Sequence, residues 1–146
     1  MPKRIVVLVV CFLLALSAAC SAEDMHFVDA DGATGYYVDA DTIVIAPAGA
    51  VMKDGSPDWH ISDASVAVVK AHENRRYIYK AQFDCEHKKY RIFETIVQAY
   101  DTKDVLQDEW RPTAWLAYGA SSPMRTMVDF IYEWQAEQDR KAAMGL

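Results

Sequence analysis

The sequence predicts an α+β domain: a mostly antiparallel β-sheet of about six or seven strands with one C-terminal helix packed on a sheet face. Three observations predict it. Tyr77, Tyr79, Ala81 and Phe83 recur at spacing two, and beyond the polar turn Asp84 to Lys89 the run Tyr90 to Ala99 is again β-branched and aromatic. That is the composition of two adjacent strands with apolar contacts on both faces, central rather than at an edge. Other extended runs are separated by short stretches of turn-forming residues. A wide stripe of apolar side chains at three-and-four spacing appears once, after Ser122-Pro123. The same pattern also suits a small curved barrel closed by the helix.

The chain opens with Lys3 and Arg4 and then twelve apolar residues, Ile5 to Leu16. A basic start and a core of that length make a secretory signal, shorter than the roughly 20 residues that span a bilayer. Leu16-Ser17-Ala18-Ala19-Cys20 puts small residues before a cysteine, as lipoprotein processing requires. Residues 1–19 are therefore expected to be removed, with Cys20 lipidated. Leu16 stands four places before Cys20, where that processing prefers three. Cleavage after Ala19 or Ala22, giving a soluble exported form, and retention as an N-terminal anchor are the alternatives. Loss of Lys3 and Arg4 leaves the remainder more acidic than the −6 of the whole chain. An acidic surface without a basic tract argues against nucleic acid as a partner.

Residues 25–146 are expected to form one domain. Met25 to Asp29 reads as a first strand, and Asp31-Gly32 is a hairpin signal leading to a strand through Tyr36, Tyr37 and Val38. Asp39 to Asp41 reads as a turn before a short β-branched strand, Thr42 to Ile45. Ala46 to Asp58, with Pro47, Gly49, Gly55 and Pro57, is a loop of about thirteen residues. Val66, Val68 and Val69 carry the next strand, His72 to Arg75 a turn into the 77–100 hairpin. In the second arm, strict alternation puts Tyr90, Ile92 and Ile96 on one face and Phe93, Val97 and Ala99 on the other. Asp101 to Asp104 is a further turn, Val105 to Trp110 a short strand stopped before Pro112, and Trp115 to Tyr118 an apolar extended piece. Ser122 suits a helix N-cap, Pro123 suits the first turn, and Met124, Met127, Val128, Ile131, Tyr132 and Trp134 form the buried stripe.

Little in this sequence points to catalysis. The four histidines are His26, His60, His72 and His87, and neither Asp58-Trp59-His60 nor Cys85-Glu86-His87 has zinc-ligand spacing. No phosphate-cradling glycine pattern, metalloprotease motif or serine elbow is present. Among 21 carboxylates no pair stands out, and Glu94 and Asp108 read as single acids on solvated faces. No cofactor, metal or enzymatic activity is expected. The rival reading is a periplasmic metal-binding protein or small hydrolase using His60, His87 and Cys85. Cys85 alone lies outside the N-terminal segment; it is buried and inert, paired with Cys20, or used between molecules. Eight tyrosines and four tryptophans enrich the chain. Most are expected in the core, with Tyr36, Tyr37, Trp59, Trp110 and Trp115 as candidates for a recognition surface.

These residues also carry a resemblance. Tyr37-Val38-Asp39 before Thr42-Ile43, Phe83-Asp84-Cys85 with Lys88-Lys89-Tyr90-Arg91, Tyr100-Asp101 before a strand ending at Trp110, and Trp115 to Pro123 stand in order along the domain. In that order and spacing the chain resembles the bacterial surface-adhesin protein E family of small exported lipoproteins. The resemblance implies an antiparallel β domain with a helix, held at the outer membrane by a lipid anchor. It also implies adhesion, since the family's named member binds host proteins such as vitronectin and laminin. Members often carry a second cysteine near the C-terminus to pair with the one matching Cys85, and the closing helix here has none. The expected protein is an exported, non-enzymatic envelope domain, lipid-anchored at the outer membrane or periplasmic. Its role is binding or structural, with a host or envelope protein, or a second copy, as partner.

Overall fold

The computed structural model describes residues 23–146. Seven strands and a helix follow in chain order: β1 (Met25–Asp31), β2 (Thr34–Ile45), β3 (Ile61–Lys70), β4 (Arg75–Asp84), β5 (Lys89–Ala99), β6 (Val105–Trp110), β7 (Leu116–Ala117) and α1 (Pro123–Ala143). Each strand pairs antiparallel with the one before it from β1 to β6, and β7 adds to β5. From β1 to β6 sequence neighbours are thus sheet neighbours, with β1 at one edge and β6 and β7 at the other. The sheet is open, so the α+β prediction holds and the closed barrel does not.

The turns form where their chemistry is cheapest. Asp31 pairs Thr34 across Gly32, whose φ of +56° a side chain would resist. Ala71–Glu73 makes one 3-10 turn, closed by Asn74 in the left-handed region. The expected turn at Asp39 to Asp41 is absent: β2 runs through it as one strand, with its pairing to β3 interrupted between Asp39 and Val44. A β-bulge absorbs the turn-forming residues. Asp39 Oδ1 accepts the N–H groups of Asp24 (3.1 Å) and Asp41 (3.2 Å), and Thr42 Oγ1 accepts from Ser65 N at 2.7 Å.

A second bulge corrects the alternation expected for β5. Lys80 pairs Glu94 while Ala81 pairs Ile92, which leaves Phe93 as the extra residue. One added residue reverses the faces beyond it. Val97 and Ala99 therefore share the face of Tyr90 and Ile92, and Ile96 lies opposite them.

The helix lies chiefly over β1 and β2. Met127, Val128 and Ile131 descend onto Val38, Ala64, Val66, Ala81 and Phe83, all buried, to make the main core. His26 sits against Phe130 and Trp134 at the β1 side. Ser122 takes the N-cap position with extended backbone, but its hydroxyl donates back to Gly119 O (2.9 Å) and caps no helix N–H. No helix among the described residues is long and apolar enough to cross a membrane.

Candidate functional site

The face of the sheet away from the helix carries a built row of aromatic and cationic side chains. Its construction starts at the β5 bulge: Arg91 and Phe93 share a side by period two, and the extra residue brings Glu94 to that side as well. β6 then brings Trp110 opposite Glu94, and Trp110 stacks on Phe93 with centroids 5.9 Å apart and planes 16° apart. Beyond Trp110 the chain keeps to the edge of β5, where Arg111 N donates to Phe93 O (2.9 Å) and Thr113 N to Ile92 O (2.8 Å). That course lays Trp115 beside Arg91. The guanidinium carbon lies 4.6 Å from the Trp115 ring and 5.0 Å from that of Phe93.

Trp110, Phe93, Arg91 and Trp115 thus form a continuous ladder. Arg91 is fixed from below, since its Nε and Nη2 donate to Gln82 Oε1 at 3.0 and 2.6 Å. Gln82 Nε2 in turn donates to Asp63 Oδ1 at 2.8 Å. Trp110 is 66% exposed and Trp115 37%. Each cation–π contact at an exposed site contributes about 0.5–1 kcal/mol. The row is held in place before any partner arrives.

Beside the ladder, Glu94 and Asp108 are not the isolated acids the sequence suggests. Lys80 pairs with Glu94, and Glu94 and Asp108 share a hydrogen bond. The Lys80 bond, more than that of Asp108, holds the Glu94 carboxyl below its usual range. The Glu94 bond pushes the Asp108 carboxyl up. A carboxyl whose pKa differs between the folded and unfolded chain makes stability depend on pH. Glu94 stabilises the fold above its unfolded pKa, and the gain is lost as pH falls through the folded value. Asp108 does the reverse: its contribution is complete below the unfolded pKa and is lost as pH rises through the folded one. Lys80→Met should raise the Glu94 titration in carboxyl-detected NMR and flatten the acid limb of the stability curve. An unchanged Glu94 titration would show that Lys80 does not set it.

The sequence-predicted aromatics divide. Trp110 and Trp115 belong to the ladder. Trp59 follows the 46–58 loop, 63% exposed, and its carbonyl accepts the Tyr132 hydroxyl at 2.9 Å. Tyr37 is on the ladder's face but at the β1 side, edge-on to Phe27 (5.6 Å, 72°). Tyr36 points to the helix-bearing face, into a cavity between sheet and helix.

The histidines of the rival reading are each taken by a local carboxylate. His60 Nδ1 is 2.9 Å from Asp58, whose carboxyl is held low by the His60 backbone N–H and ring. His87 Nδ1 is 2.8 Å from Asp84, which raises its pKa. In both turns the same aspartate also accepts the histidine's backbone N–H, so the pairs staple their own loops. Cys85 has no disulfide partner among the described residues, and its half-buried thiol lies beside the Tyr132 phenol. Burial first, then the Cys85 contact, keeps that phenol protonated far above its usual range. Ser62 Oγ is also near it, wholly buried, without meeting hydrogen-bond geometry. Among the described residues no group of three or more His, Cys, Asp or Glu side chains is arranged to hold a metal ion. Cys20, the expected lipidation site, lies outside the described residues.

No family model, curated protein or solved structure matches the chain. Within the site, Phe93, Arg91 and Gln82 are the residues that sequence reading missed. Their signal was the period-two pair Arg91 and Phe93 with Trp110 one strand away, but only the bulge brings Trp110 to the side of that pair.

Proposed function

We propose that this chain is a non-enzymatic, exported envelope domain, lipid-anchored through Cys20, that binds a host or envelope protein, in the manner of the surface-adhesin protein E family it resembles. The observation that supports the binding role is the preassembled ladder of Trp110, Phe93, Arg91 and Trp115 on the open sheet face. Trp and Arg are the residues that most often dominate protein–protein affinity, and a guanidinium already fixed loses little entropy on docking. An acidic neighbour in Asp108 at the Trp110 end sets a polarity along the row.

One experiment tests both halves. Cells carrying the full-length chain, its Cys20→Ser form, and a Trp110→Ala/Trp115→Ala form are fractionated and assayed for capture of immobilised vitronectin and laminin. Wild type should pellet with membrane and capture at least one of the two. Cys20→Ser should lose the pellet, and the double tryptophan variant should stay in it but capture at least tenfold less. Membrane association unaffected by Cys20→Ser would overturn the anchor. Absence of capture by wild type would overturn adhesion to these host proteins.

Self-association is the second reading, and β6 favours it. All of its residues are exposed, it forms a sheet edge, and Val105, Leu106 and Trp110 are each more than half exposed. Such an edge is a template for another strand.

A further inference from the structure

The helix leaves part of its own sheet face uncovered, and a cavity of about 690 Å³ occupies that space. Its floor is β3, β4 and β5, through Val66, Val68 and Ile92 among others. One wall is the start of α1, through Met124 and Met127, and the other is the 117–119 segment. Five tyrosines line it: Tyr36, Tyr77, Tyr79, Tyr90 and Tyr118. None of their hydroxyls has a hydrogen-bond partner among the described residues, whereas Tyr132, outside the cavity, bonds Trp59 O. A volume in this range, apolar walls and a few convergent polar groups are the attributes of a small-molecule site.

Charge decides the class of ligand. The chain is acidic, at −6, yet no Asp or Glu lines this cavity and its one charged side chain is Lys70. Lys70 forms no ion pair among the described residues. The N-terminal turn of α1, which has no acidic residue, opens at the same wall and adds positive potential. Met, Val and Ile on the walls accept a flexible apolar body, and Met in particular adapts to its shape. A peptide would need partners for each backbone amide, which phenols and one ammonium do not supply.

We propose that this cavity binds a single-chain amphiphilic carboxylate of the fatty-acid class, with its carboxylate at Lys70 and its alkyl chain among the tyrosine rings. The site is separate from the ladder and does not depend on its function.

The test is calorimetric titration of the exported Cys20→Ser chain, below micellar concentrations, with dodecanoate, dodecyltrimethylammonium and acetate. Dodecanoate should bind one per chain, at least tenfold tighter than the cation, with no detectable acetate binding. Met124→Trp fills the cavity and should weaken dodecanoate at least tenfold, and Lys70→Glu should abolish the preference for the anion. Lys70→Glu changes a half-buried rim residue, so it decides the matter even where Met124→Trp does not fold. Absence of dodecanoate binding, equal binding of the cation, or dodecanoate binding indifferent to Lys70→Glu would overturn the proposal.

Discussion

Phe83→Ala should destabilise the domain by about 3–5 kcal/mol, a large part of the roughly 5–15 kcal/mol a domain of this kind possesses. Phe83 is fully buried near the end of β4, where it belongs to the core that joins the sheet to α1 through Met127 and Ile131. Its neighbours Ala64 and Ala81 are small and their strands are pinned on both sides by pairing. They have little room to collapse into the space left. The cost is therefore both the lost transfer free energy of the ring and the residual cavity. Phe83→Leu keeps most of the volume and should cost under about 1.5 kcal/mol. Urea unfolding with an unchanged slope separates the two variants from any change in the denatured state. A Phe83→Ala cost below about 1.5 kcal/mol would mean that helix and sheet are not held together here.

Phe83 was legible in the sequence because its strand obeys period two without interruption. Tyr77, Tyr79, Ala81 and Phe83 do share the helix-bearing face. The Met127, Val128 and Ile131 stripe was legible for the matching reason: one regular period over several turns. Legibility failed wherever one residue was added to a strand. At Phe93 the insertion sent Val97 and Ile96 to the faces opposite those expected. It also placed Phe93 and Glu94 side by side on the open face, which created the ladder and brought Glu94 to Asp108. Local pattern contains no term for an extra residue, since a bulge is stabilised by what the partner strand offers. The cavity was invisible for a different reason. Its five tyrosines come from four separate places in the chain, and what leaves them unfilled is how far α1 reaches across the sheet.

Asp39→Ala should cost about 2–3 kcal/mol, and Asp39→Asn about 1 kcal/mol or less, because the bulge of β2 depends on an acceptor oxygen at this position. Asp39 is buried at 6% exposure on the open sheet face, and one of its carboxylate oxygens takes the N–H groups of both Asp24 and Asp41. Its backbone carbonyl accepts the Thr42 hydroxyl at 2.7 Å, and that hydroxyl oxygen accepts from Ser65 N. One residue thus ties the entry of β1, the bulge of β2 and the middle of β3. Alanine removes the acceptor and leaves two backbone donors without a partner at a place where pairing with β3 is already interrupted. Asparagine keeps an oxygen in the same position and loses only the charge assistance. Chemical denaturation gives the two costs, and amide exchange locates them: faster exchange at Asp41 and Ser65 in Asp39→Ala, near-native rates in Asp39→Asn. Equal costs for the two substitutions would assign the effect to the buried charge, and a cost within about 0.5 kcal/mol of zero for alanine would show that backbone pairing alone holds the bulge.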